Sequence, residues 1–186
     1  MRNAILIHGM QGTPDNHWFP WLKKELEKRN YMVHTPTLPG GKNPSLQEWE
    51  EAFKEYRKNL DSDSIIIAHS LGVPFALKVL EKKVRPIRAT FLVAGFISEH
   101  NNNYDEKLKT FVEEFDFETI KKKSKEFFLY ASDNDEAVPL DKTKELSDKL
   151  GEEITVIEGA GHFTSEDNFE EFEDLLVDII SVEHSE

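Results

Sequence analysis

The sequence predicts an α/β protein, a three-layer arrangement of about six parallel strands with helices on both faces. Two observations carry this. Short apolar runs alternate with longer amphipathic ones, the pattern of repeated strand–helix–strand units. The apolar runs "AILI", "IIIA" and "TFLVA" are continuous rather than alternating, as expected of strands covered on both faces.

Strands are expected at Ala4–His8, Tyr31–Thr35, Ser64–His69, Ala89–Ala94, Glu126–Ala131 and Ile154–Glu158. Between them, "SLQEWEEAFKEYRKNL" sets Leu46, Trp49, Phe53, Tyr56 and Leu60 on one helical stripe. Ser45 and Glu48 have the spacing of a capping box at its start. Further helices are expected at Phe19–Arg29, Leu71–Glu81 and Phe169–Ile180, and at Asp141–Leu150, stopped by Gly151. Residues 95–125 lack a clear strand; "SEHNNNYDEK" reads as loop and "LKTFVEEFDFETI" as a short helix.

With 186 residues, 38% of them hydrophobic, the chain suits one domain over residues 1–186. A net charge of −13 argues against nucleic acid, whose phosphates need a basic face. The only tight basic run, Lys121–Lys123, reads as a solvated helix end. The chain has no cysteine, which excludes disulfides and thiolate chemistry. No histidine or carboxylate cluster has metal-ligand spacing, and no cofactor is expected. The four apolar residues Ala4–Ile7 are too few for a signal peptide, and no apolar run suits a membrane span. The expectation is a cytoplasmic monomer acting on a small molecule.

The chemistry centres on Ala68-His69-Ser70-Leu71-Gly72, where an apolar strand runs into a helical pattern with Pro74 in its first turn. A nucleophile elbow needs small residues two before and two after its serine, because strand and helix backbones meet there. Ala68 and Gly72 satisfy that demand. The plainer reading is that Ser70 merely caps a helix.

A serine nucleophile needs a base, and the base an orienting group. In this kind of fold they follow in the order serine, acid, histidine. "FFLYASDNDEAVP" is a strand emptying into an acidic loop, and "TVIEGAGHF" is a strand followed by a glycine-rich turn and His162. His162 is the expected base, although a loop histidine is often merely solvated. Asp133, Asp135 and Glu136 compete as the acid; Asp135, three before the anchoring Val138, is preferred, with Asp133 the alternative. His8 and His69 end strands near the site rim, His34 lies near the end of the second strand, and His100 and His184 read as surface residues. His69 is rejected as the base, because neighbouring side chains on a sharp elbow point apart. Leu71 and the loop "HGMQGTP" are the expected oxyanion-hole amides, the latter from Met10, with Gln11 as the alternative.

With those residues in place, the chain resembles an α/β-hydrolase, and more narrowly the compact YdeN-like serine hydrolases, relatives of retinoblastoma-binding protein nine. The likeness spans nearly the full length and rests on "ILIHG", "HWFPWLKKEL", "AHSLG", "SDNDEAVP" and "GAGHF". It implies the triad Ser70, Asp135 and His162, a minimal sheet of order 2-1-3-4-5-6, and no large lid between strands four and five. Two features depart from the pattern. Ala68 replaces the usual glycine, and the L-x-C-x-E partner motif is impossible without cysteine, so no retinoblastoma-type partnership carries over.

In "HWFPWL", Trp21 and Leu22 are assigned to the core and His17 and Trp18 to the site wall. Phe96 and Phe163, next to site loops, are further substrate-pocket candidates. The reading is a serine hydrolase of carboxylesterase type, acting on a small ester, thioester or amide. The rival is a binding or regulatory module that keeps the fold with little turnover.

Overall fold

The computed structural model of the chain describes residues 2–83, 85–99 and 106–183. In chain order its elements are β1 (Arg2–Ile7), α1 (Phe19–Lys28), β2 (Tyr31–His34), α2 (Leu46–Phe53), β3 (Ile65–His69), α3 (Gly72–Glu81) and β4 (Ile87–Val93). There follow α4 (Glu106–Val112), α5 (Phe117–Ile120), β5 (Ser124–Ser132), α6 (Leu140–Leu150), β6 (Ile154–Ile157) and α7 (Glu173–Glu183). The strands form one sheet in the order β2-β1-β3-β4-β5-β6. Every neighbouring pair is parallel. That sheet is the α/β-hydrolase arrangement.

The two-residue period of a strand sorts its side chains into two cores. Ile5, Ile7, Ile66 and Ala68 pack on one face with Trp49, Phe53, Phe75 and Leu146 from α2, α3 and α6. Ala4, Leu6, Ile65 and Ile67 pack on the other with Leu22 and Leu26 of α1 and Leu175 and Ile179 of α7. Helix α3, crossing behind the central strand, is buried from Gly72 to Leu80. Its Lys78 is buried too, and its Nζ donates to the backbone oxygens of Glu113 and Glu114 while lying 4.3 Å from the Phe115 ring centroid. No helix among the described residues is long and apolar enough to cross a membrane.

Three element readings need correction. The helix from Ser45 stays α only to Phe53 and tightens into a 3₁₀ turn over Lys54–Asn59. A 3₁₀ turn eclipses residues three apart, which sets Tyr56 beside Phe53 at 6.0 Å between centroids. Ser45 is the N-cap, but its side chain makes no capping bond. The start is held instead by the buried Trp49, whose indole N–H donates to Pro39 O at 2.8 Å. The last helix begins at Glu173 rather than Phe169, because Asn168 (φ 60°) is still turning the chain and Phe169 N–H donates back to Thr164 O. His100, His184 and residues 100–105 of the stretch expected as loop lie outside the described residues, and its last two residues, Glu106 and Lys107, instead open α4.

Candidate active site

Ser70 follows the central strand β3 directly and has φ 53°, a left-handed value that a side chain adopts at a cost of about 1–2 kcal/mol. The sheet holds it there: Ser70 N–H donates to Val93 O at 2.9 Å, continuing the β3–β4 ladder past its last residue. Ser70 is therefore a strained turn residue and not a helix cap, since α3 is preceded by Leu71, not Ser70, at its N-cap. Neighbouring glycines are set by contact. A Cβ on Gly72 would stand 2.6 Å from Ile7 O, and one on Gly9 2.9 Å from the Ser70 Cβ. Ala68, at the other crowded position, is buried without remodelling the turn.

The loops after β5 and β6 are laced by three consecutive residues. Asp133 Oδ1 accepts from Gly159 N–H at 2.8 Å. Asn134 Oδ1 accepts from Gly161 N–H at 2.8 Å, and Asp135 Oδ2 from His162 Nδ1 at 2.8 Å. Asp135 is nearly sealed, its side chain 1% exposed against 21% for His162. Its other oxygen accepts from the N–H groups of Ala137 and Val138, both at 2.8 Å, so three donors converge on one carboxylate. Because a carboxylate only accepts here, the His162 proton sits on Nδ1 and Nε2 is left with a lone pair. Asp133, by contrast, is exposed and engaged with the loop backbone. Asp167 Oδ2 holds the far side, accepting from His162 N–H at 3.0 Å and from Thr164.

Ser70 and His162 line the same cleft, with Met10, Thr13, His17 and Thr164. No hydrogen bond joins Ser70 Oγ to His162 among the described residues; such bonds are commonly long without substrate and tighten when it binds. The Met10 and Leu71 N–H groups have no acceptor among the described residues. Gln11 N–H is spent on Gly41 O at 3.1 Å, which removes it as the alternative oxyanion donor.

Two strand-ending histidines support the site from behind. His69 is buried, and its Nε2–H donates to the His162 carbonyl at 2.9 Å. Burial above all, with the neighbouring His162, His17 and His8 rings, pushes its pKa well down, so it stays neutral. His8 Nδ1–H donates to Gly9 O at 2.8 Å while Nε2 accepts the Leu38 N–H at 3.0 Å. That pair of bonds fixes a neutral ring, and burial lowers its pKa accordingly. Neither these tethers nor Asn134 was read as part of the site from sequence; strand ends alone placed His8 and His69 near it.

Three pocket expectations are corrected. Trp18 is fully buried in the core, stacked on Phe19 at 4.4 Å and edge-on to Phe172 at 5.7 Å. It precedes α1 by one residue, so the i, i+4 series Trp18, Leu22, Leu26 faces the sheet. Trp21, placed in the core from sequence, is instead only partly buried. Phe163 belongs to the same aromatic core, stacked on Phe172 at 5.4 Å. Phe96 is buried in the opposite core, with Val73 and Leu146. His17 does stand in the cleft wall.

Comparison with known proteins agrees with this architecture. YdeN of Bacillus subtilis (strain 168) is 29% identical over 171 residues, covering 90% of this chain and 89% of that protein. The crystal structure of the B. subtilis ydeN gene product superposes with a TM-score of 0.93 over the whole of both chains, at 26% identity. Est1E of Butyrivibrio proteoclasticus, solved with ferulic acid bound, shares the fold at a TM-score of 0.69 and 18% identity, over 97% of this chain and 90% of its own. A model of the serine hydrolase family matches residues 4–179, and the chain belongs to that family of hydrolases.

Proposed function

We propose that the chain is a serine hydrolase transferring the acyl group of a small carboxylic ester, thioester or amide to water, without a cofactor. Ser70 Oγ attacks the carbonyl carbon as His162 Nε2 takes its proton. The Met10 and Leu71 N–H groups receive the developing oxyanion. His162 then returns the proton to the leaving atom, the carbonyl bond to that atom breaks, and an acyl-Ser70 remains. Water repeats the cycle against the acyl-enzyme and frees the acid. Asp135 keeps the imidazole proton on Nδ1 throughout.

The observation that carries this reading is the 2.8 Å bond from His162 Nδ1 to a sealed Asp135, in the same cleft as a serine on a left-handed turn. A fluorophosphonate probe tests it. The wild type should be labelled covalently and Ser70→Ala should not. Absence of label on both would favour a binding module that keeps the fold.

A further inference from the structure

The unusual feature of the cleft outside the three proposed catalytic groups is His17. Its backbone lies at φ 56°, a left-handed conformation uncommon for a residue with a side chain. Such outliers persist only where the surroundings impose them, and they gather at functional sites. The turn follows the Thr13–Asn16 bonds, and the ring is tied across 148 positions of sequence: the Ser165 N–H donates to His17 Nδ1 at 3.0 Å. An accepting Nδ1 in a neutral ring puts the proton on Nε2, which faces away from Ser165. Burial keeps the ring neutral by lowering its pKa, outweighing the nearby Glu166. Nε2 has no partner among the described residues, while the ring walls the cleft beside Ser70 and His162. The result is a half-buried ring on the cleft wall whose Nε2–H is available to a substrate oxygen.

The cleft's volume is about 110 Å³, small beside the roughly 300–1,000 Å³ of pockets that hold drug-sized ligands. Thr13 and Thr164 line the same wall, their hydroxyls already donated to Asn16 and Asp167. Glu166 and Asp167 act on His17 from outside, which disfavours an anion next to it. Resting on the serine hydrolase reading above, we propose that His17 Nε2–H selects a short, uncharged acyl group carrying an oxygen acceptor, such as an ether, hydroxyl or keto oxygen near the scissile carbonyl. A purely hydrocarbon acyl group of the same size leaves the donor buried without a partner, which is how a polar pocket rejects an isostere.

The test pairs p-nitrophenyl methoxyacetate with p-nitrophenyl butyrate, which differ by an oxygen in place of one methylene. Their ratio of kcat/KM is compared with the ratio of hydroxide-catalysed rates, which removes intrinsic reactivity. The wild type should favour methoxyacetate beyond the hydroxide ratio. That excess should fall about fivefold to tenfold in His17→Phe, the worth of one neutral hydrogen bond, and largely survive in His17→Gln, which keeps an amide donor. No excess in the wild type, or an excess unchanged in His17→Phe, overturns the proposal; if His17→Phe does not fold, His17→Ala is read in its place by the same criterion. Fluorophosphonate labelling of the wild type separates the two failures. With Ser70 labelled, only the His17 assignment falls, and without label the hydrolase reading falls with it.

Discussion

The Asn134 side-chain oxygen accepts the Gly161 N–H at 2.8 Å, one residue before the Asp135–His162 contact on both loops. The same oxygen accepts from Ser132 Oγ at 2.7 Å, so one amide group ties the end of β5 to the loop after β6. Asn134→Ala would leave the Gly161 N–H and the Ser132 hydroxyl without that acceptor. The expected outcome is a loss of about 1–2 kcal/mol in stability by urea unfolding and a fall in kcat of roughly tenfold. An unchanged kcat would show that the base loop keeps its place without the tie.

The two neighbouring aspartates should separate sharply. Asp135→Asn replaces the acceptor that fixes the His162 tautomer, and kcat should fall about 10³-fold or more on any ester the wild type turns over. Asp133→Asn keeps an oxygen for the Gly159 N–H and should change kcat less than tenfold. The reverse order in steady-state kinetics would reassign the acid.

At the elbow, Gly72→Ala sets a methyl carbon 2.6 Å from Ile7 O and 2.7 Å from His8 O, both backbone atoms that move only with the sheet. The cost should reach about 3 kcal/mol, a fall of roughly 6–12 °C in Tm for a chain of this length. Calorimetry reads it directly.

Acid should weaken the fold through its neutral histidines. In the folded state burial depresses the His69 pKa well below its ordinary value, with His162, His17 and His8 adding to the effect. Unfolded, the ring titrates near 6.5. Between the two values the unfolded chain binds more protons, so stability is full above about pH 6.5 and is lost as the pH falls, at up to about 1.4 kcal/mol per unit for this one group. His69→Gln retains a donor for the His162 carbonyl without a titrating ring, and its Tm should decline less than wild type between pH 7 and pH 5. Parallel declines would exclude His69 as the source.

Lys78 caps the carbonyls of Glu113 and Glu114 from α3. Lys78→Met keeps the apolar stem but leaves both oxygens open, so hydrogen exchange across residues 108–120 should quicken about tenfold while the β3 amides stay protected.

The positions of the strands were legible because a fully covered parallel strand advertises itself as an apolar run, as in Ile65–Ile67. The elbow was legible for a related reason: close backbone approach restricts the residue types at 68 and 72. What sequence did not give was the direction of aromatic side chains. Trp18 and Trp21 lie three apart in one motif, and although α1 starts at Phe19 as expected, its rotation against the sheet is what turns Trp18 inward and leaves Trp21 partly to solvent. The tethers were hidden for another reason. Asn134, His69 and Asp167 act through loops from other parts of the chain, and their residue types are ordinary for turns and strand ends.

The burial of Trp18 behind His69, with Phe163 and Phe172 stacked beside it, constrains how the enzyme is re-engineered. Carving room for bulkier substrates on that side would excavate the hydrophobic interior and forfeit several kcal/mol per ring removed. The practical direction for redesign is the Met10 side of the cleft, where that side chain is 39% exposed and can be trimmed without opening a void beneath the sheet.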